Sequence, residues 1–240
     1  EENDMLNADQ PRATFRPLLF FRTAQQVRIS FAEKERARRV VSRSNHRVTG
    51  KHPGFKSRRM HYWESSLEQD AFLLLDADHE VLSYNEQPAI IRYGHSLKEK
   101  HYPDVLVNYR YRREFVEIKT DKEAASEEVV MRTVLLTAAL APHGYGYRVW
   151  TESQIRNCPN RLANLRFLMR FGRNPISIDN FEWFRQLFAH EPVLPWGAVV
   201  GRPTSPDKRA GLCRLVLEGR VRIDLALPIF SDSLVSVGRM

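Results

Sequence analysis

The stretch His101 to Lys119, HYPDVLVNYRYRREFVEIK, constrains what this chain can fold into more than any other. Two apolar runs, Val105-Leu106-Val107 and Phe115-Val116-Glu117-Ile118-Lys119, flank a polar connection from Tyr109 to Arg113. They read as neighbouring strands. Side chains alternate along a strand, so Glu117 and Lys119 share one face while Val116 and Ile118 bury the other. Pairing the two strands brings Asp104, at the mouth of the first run, beside Glu117, with Lys119 within reach of both. Adjacent carboxylates repel unless a cation sits between them. An all-oxygen pair with open positions suits Mg²⁺ or Mn²⁺. The same residues also fit a plainer arrangement, a loop aspartate and an exposed Glu/Lys pair on a strand face.

The 240 residues suit one large domain or two small ones, and 42% hydrophobic content supplies a core. No apolar run approaches membrane-spanning length, so no membrane is expected as a partner. No secretory signal is read at the start, where the first residue is Glu1 rather than Met. Cys158 and Cys213 lie far apart without CxxC spacing, which argues against a disulfide framework or a thiolate zinc site and for a reducing cytoplasm. The net charge of +8 favours a polyanionic partner, most often nucleic acid.

Thr14 to Phe21 could be a strand or an arm that packs on a partner. Residues 34–59 are strongly basic, with Glu33 to Val41 a possible short helix and Ser42 to Ser57 a loop turning at Pro53-Gly54. Arg38, Arg39, Arg43, Arg47, Lys51, Lys56, Arg58 and Arg59 are its candidate DNA contacts, reading the segment as a phosphate-contacting arm. The alternative is a solvated charged surface. Tyr62 to Ala77 reads as a helix on the spacing of Leu67, Ala71, Leu74 and Leu75. On it Glu64 and Glu68 share a face, and Ser65 and Glu68 fit a capping box, so Glu68 serves either the helix end or a metal.

Val81 to Tyr84 and Ile90 to Tyr93 read as short strands around Asn85-Glu86-Gln87-Pro88. Ala124 to Leu140 reads as a helix with apolar positions Val130, Val134 and Leu135. Tyr147 to Trp150 follows as a strand, giving a parallel crossover and an α/β unit with a mixed sheet over 60–150. Beyond it, Thr151 caps a helix running through Leu168, and Asp179 to Ala189 forms an aromatic helix whose Phe181, Trp183, Phe184 and Phe188 read as core rather than a base-stacking platform. Asp207 to Glu218 forms a third helix ended by Gly219. A strand through Val221, Ile223, Leu225 and Leu227 has Leu234 to Val237 as its hairpin partner, and this pattern reads as a small winged-helix-like domain over 151–240.

In this order and spacing, Ser66-Leu67-Glu68, Phe72 to Leu75, Glu86-Gln87-Pro88, Tyr102 to Val107 and Val116 to Lys119 resemble the TnsA endonucleases of bacterial heteromeric transposases. The resemblance covers roughly 60–150. It implies the restriction-endonuclease-like fold of the PD-(D/E)xK nucleases and a winged-helix-like part that contacts partners or DNA, while the charge pattern alone marks a basic arm over 1–59. Carried over by position, Glu68 is the helix glutamate, Asp104 the metal-binding aspartate, and Glu117 and Lys119 the acid-x-lysine pair. Some members have glutamine at the position of Glu117, and Glu64 and Gln87 stand as second-rank candidates.

The chemistry implied is hydrolysis of a DNA phosphodiester. Glu68, Asp104, Glu117 and the Ile118 carbonyl would hold Mg²⁺, with Mn²⁺ as a substitute, while Lys119 orients water or neutralises developing charge. The resemblance further implies cytoplasmic, nucleoid-associated work at the 5′ ends of a transposon, beside a TnsB-like DDE transposase and a TnsC-like AAA+ ATPase. A restriction or repair nuclease acting alone, and a non-catalytic DNA-binding module on the same fold, are the alternatives. His61 and His101 could approach the site from the helix and from the strand entrance, but read first as ordinary surface histidines.

Overall fold

The architecture follows from a computed structural model that describes residues 26–32, 37, 49–57, 59–201 and 205–238. The expected arm or strand at Thr14 to Phe21 and nearly all of the expected helix at Glu33 to Val41 lie outside those residues. In chain order the N-terminal elements are β1 (Arg28–Phe31), β2 (Gly50–Pro53), β3 (Met60–Trp63), α1 (Ser66–Ala77), β4 (Val81–Glu86), β5 (Ala89–Tyr93) and β6 (Glu99–His101). Next come β7 (Val105–Tyr109), β8 (Arg113–Lys119), α2 (Asp121–Ala124), α3 (Glu127–Leu140) and β9 (Tyr145–Thr151). The remainder is α4 (Glu152–Ile155), α5 (Pro159–Phe171), α6 (Ile178–His190), β10 (Val193–Pro195), α7 (Trp196–Val200), α8 (Pro206–Leu217), β11 (Val221–Ile223) and β12 (Leu234–Val237).

The central sheet has the order β4-β7-β8-β9. β7 pairs antiparallel with β8, Val105 opposite Val116, and β8 pairs parallel with β9 through the α3 crossover. The sheet is therefore mixed, as a restriction-endonuclease-like α/β fold requires. Alternation sorts its two faces. Val105, Val107, Val116 and Ile118 pack against Leu67, Phe72 and Leu75 of α1. On the other face Leu106 and Phe115 pack against Leu136 and Leu140 of α3, together with Tyr145 and Tyr147. The α1-side core is continuous with Leu162, Leu165, Phe184, Leu212 and Val235, so the C-terminal helices share it.

Several elements differ from the sequence expectation. The helix begins at Ser66, not Tyr62, because Met60–Trp63 extends as β3 and pairs with β2. This hairpin also replaces part of the loop expected from Ser42 to Ser57. The helix expected from Ala124 starts at Glu127, where Ser126 caps it, after the separate turn α2. Its buried residues are Val129, Leu136, Ala139 and Leu140, while the expected Val130 and Val134 are exposed. The helix expected from Thr151 through Leu168 is broken: Thr151 caps only α4, and Pro159, which lacks a backbone N–H, opens a second helix. Gly219, at φ +72°, follows α8 as expected. The strand expected through Leu227 stops at Ile223, and β12 pairs with both β10 and β11. Phe184 and Phe188 are buried core residues.

Candidate active site

Asp104 precedes β7 by one residue, so extending the β7–β8 register by one step sets it opposite Glu117. Its Oδ2 accepts a hydrogen bond from the Ile118 N–H at 2.7 Å, and its carbonyl accepts one from the Gln87 N–H at 2.7 Å. Burial, then the nearby Glu68 carboxylate, push the Asp104 carboxyl up to about 7, against the Ile118 N–H and the Lys119 ammonium. The site thus carries more negative charge than its own cations neutralise.

Glu68 sits in the first turn of α1. Its backbone N–H donates to the Ser65 hydroxyl at 3.1 Å, that hydroxyl donates to Glu68 Oε1 at 3.1 Å, and the Glu64 N–H donates to Oε2 at 2.9 Å. The capping role read from Ser65 and Glu68 is therefore real. Yet the same carboxyl lies close enough to Asp104 and Lys119 to influence both, and burial raises its pKa. Gln87 ties this corner to the sheet. Its side-chain amide donates to Glu64 Oε1 at 2.6 Å, and its backbone is held at φ +41°. A non-glycine residue in that region costs about 1 kcal/mol or more, which its hydrogen bonds to Asp104 and Glu64 help offset.

Glu117 and Lys119 share a strand face as the alternation requires, with Lys119 Nζ 3.1 Å from Glu117 Oε1. His101, which the sequence allowed near the site, and two residues it did not connect, Arg132 and Tyr147, complete the group. Arg132 of α3 lies 3.0 Å from Oε1, the Tyr147 hydroxyl of β9 donates to Oε2 at 2.5 Å, and His101 of β6 is 3.1 Å from Oε2. Burial alone would raise the Glu117 carboxyl, but His101, Tyr147, Lys119 and Arg132 hold it below its ordinary value. Burial pushes His101 down to about 4, against the opposing pull of the Glu117 carboxylate. Burial would likewise lower Lys119, but Asp104 and Glu117 outweigh it and keep the ammonium charged. Lys119 is therefore a cation held between Asp104 and Glu117.

The structure thus brings Glu68, Asp104, Glu117 and Lys119 to one end of the sheet, with Glu64, Gln87 and the Ile118 backbone beside them. It does not place three acids in one ligand shell. Among the described residues no set of three His, Cys, Asp or Glu side chains is arranged to hold a metal ion. Both Glu117 oxygens face cations or donors; both Glu68 oxygens also accept hydrogen bonds, but from neutral groups, and burial raises the Glu68 and Asp104 carboxyls where the cations around Glu117 hold it down. Among the described residues Asp104 and Glu68 are thus left without an ion pair of their own, while Glu117 pairs with Lys119.

The histidines expected on the surface are inside. His61 is fully buried and His101 is 7% exposed. Ser57 Oγ, His61 Nε2 and Nδ1, and Glu86 Oε2 form a chain with both contacts at 2.5 Å, the order of a nucleophile relay. The His61 ring packs against Tyr84 and Phe72, centroids 4.5 and 5.7 Å away, which makes the chain a scaffold for the β2–β3 hairpin. The basic segment also departs from expectation. Lys56 donates to the carbonyls of Asp78 and Val81, and Arg59 pairs with Glu86 at 2.6 Å, so both point inward. Lys51 is exposed beside the Tyr62 ring. Arg38, Arg39, Arg43, Arg47 and Arg58 lie outside the described residues.

No helix among the described residues is long and apolar enough to cross a membrane. No curated protein matches the sequence. A family model does: residues 78–152, from the end of α1 through β9, match the domain described as TnsA-like endonuclease N terminal. That segment contains Asp104, Glu117 and Lys119 on the central sheet, so the likeness to TnsA-like endonucleases covers the strands that carry these residues.

Proposed function

We propose that the chain is the DNA-cutting subunit of a heteromeric transposase, hydrolysing phosphodiesters at the transposon 5′ ends in a reaction dependent on Mg²⁺. The observation that carries this reading is the Asp104 carboxyl, pushed up to about 7 by burial and by Glu68 within a segment that matches an endonuclease family. A carboxyl in that state is short of a cation, and oxygen donors of this kind suit Mg²⁺ or Mn²⁺. Asp104, Glu68 and the Ile118 carbonyl would hold it. When bound, it supplies Lewis-acid polarisation of the phosphate and a lowered pKa for a water. The chain's own residues do the rest. Glu117, fixed by Arg132, Tyr147 and His101, holds the Lys119 ammonium at the site, where it neutralises charge developing on the phosphate oxygens. The Ile118 N–H keeps the Asp104 carboxyl oriented.

A TnsB-like DDE transposase cutting the 3′ ends and a TnsC-like ATPase are the proposed partners, with the winged-helix-like segment 151–240 as the partner surface and a cytoplasmic site of action. Strand-resolved cleavage of transposon-end DNA, with and without Mg²⁺ and the partner transposase, tests this reading. Nicks confined to the 5′ strands and requiring Mg²⁺ are expected. Mg²⁺-independent cutting, or cutting of plain duplex without preference for ends or partner, would reject it in favour of a different nuclease.

A further inference from the structure

The turn between β7 and β8 lies at the far end of the strand from Asp104. The Tyr109 N–H donates to the Arg112 carbonyl at 2.9 Å and closes the connection around Arg110 and Tyr111. Tight hairpins usually place Gly, Asn or Asp at such positions. Here the sequence is Tyr-Arg-Tyr-Arg-Arg, so turn geometry does not explain it. Tyr111 is 91% exposed, the extreme among the large apolar side chains described.

The arginines are unusual in their partners. Arg110 lies 6.0 Å from the Tyr111 ring centroid, Arg112 4.0 Å from that of Tyr109, and Arg113 4.5 Å from that of Tyr145. Among the described residues no carboxylate forms an ion pair with any of them, and the nearby Glu114 is taken by Arg148 at 2.9 Å. Clustered cations without counter-ions repel one another, and the ring contacts are the compensation the described residues give them. A guanidinium lying over a ring keeps N–H edges free, in a fork that matches phosphate oxygens. An exposed tyrosine beside it offers a stacking face.

We propose that this Arg110-Tyr111-Arg112 tip is a DNA contact, with the two guanidinium groups on backbone phosphates and Tyr111 against sugar or base. The proposal rests on the reading of DNA as the substrate, and it names a surface that reading left open. Five residue steps separate Asp104 from Tyr109, about 17 Å at strand rise. β7 itself lies inside the sheet between β4 and β8 with most of its side chains buried, so the tip is a contact at the opposite end of the sheet from Asp104 and not along the strand.

The test uses the full chain and a fluorescein-labelled 30-base-pair duplex, with anisotropy read between 50 and 300 mM salt and cutting read on the same samples. The Arg110→Ala/Arg112→Ala variant should bind at least tenfold more weakly at 100 mM salt, with a log–log salt slope shallower by about 2. Arg110→Lys/Arg112→Lys should recover most of that slope, and melting temperatures should match wild type. A binding loss of this form supports the contact whether or not the DNA is cut; a wild type that binds but never cuts with Mg²⁺ undoes the nuclease reading alone. Isotherms and slopes equal to wild type overturn the contact even if cutting persists. Weakened capture of polyglutamate with unchanged DNA affinity also overturns it, in favour of an acidic protein partner.

Discussion

Replacing Asp104 with asparagine should stabilise the metal-free protein while ending its cutting. The Asp104 carboxyl moves from 3.8 to about 7 on folding. A folded-state pKa above the unfolded one means the native state binds more protons between those values, so stability falls as pH rises through that window. The penalty is absent below about pH 4 and complete above about pH 7. About three pH units at 1.36 kcal/mol each set a ceiling near 4 kcal/mol. Asp104 is only partly buried, and solvent screening reduces the effect to about 1–3 kcal/mol. Asparagine keeps an acceptor oxygen for the Ile118 N–H and removes the charge that repels Glu68. In EDTA at pH 8 the variant should melt about 3–10 °C above wild type. The gap should close as the pH approaches 4. Scanning calorimetry at several pH values reads it directly. A variant less stable than wild type at pH 8, or a gap that ignores pH, would refute the electrostatic argument.

Other perturbations separate the remaining roles. Lys119→Ala should reduce Mg²⁺-dependent cutting by at least a hundredfold in a single-turnover assay while leaving duplex binding and the folded spectrum intact; unchanged cutting removes Lys119 from the chemistry. Glu68→Ala should lower stability by about 1 kcal/mol through the lost cap and also abolish cutting, and retained cutting would leave Glu68 as a helix cap only. Tyr147→Phe deletes the short hydrogen bond to Glu117 and should cost about 1–2 kcal/mol in urea unfolding, without changing which DNA strand is cut. Arg132→Met leaves the buried Glu117 carboxylate short of a partner; it should destabilise by about 2–4 kcal/mol at pH 8, measured in the same way.

What was legible in the sequence was local. Alternation across Phe115 to Lys119 separates the buried Val116 and Ile118 from the Glu117–Lys119 pair, and the polar run before it marks the reversal that brings Asp104 alongside. Ser65 and Gly219 carry end signals whose physics needs no tertiary partner. Other features depended on contacts that sequence periodicity does not carry. Met60 to Trp63 mixes aromatic and apolar residues that suit a helix as well as a strand, and only pairing with Gly50–Pro53 decides between them. The helix Glu127–Leu140 is apolar on two stripes, so its spacing leaves open which stripe faces the sheet. Pro159 was a local signal for the break between α4 and α5, and it outranked the apolar spacing that ran through it. His101, Arg132 and Tyr147 reach Glu117 from three separate elements, so their grouping exists only in three dimensions. The same is true of the inward turn of Lys56 and Arg59, which their sequence setting presents as part of a solvent-facing basic run.

The central claim is that Glu68 and Asp104 share one divalent cation at the end of the sheet. Titrating Mn²⁺ into the full chain at pH 8 by isothermal calorimetry tests it most directly. The account predicts a saturable binding heat in wild type, kept in Lys119→Ala and lost in both Asp104→Asn and Glu68→Gln. Isotherms for Asp104→Asn and Glu68→Gln that superimpose on that of wild type would contradict it.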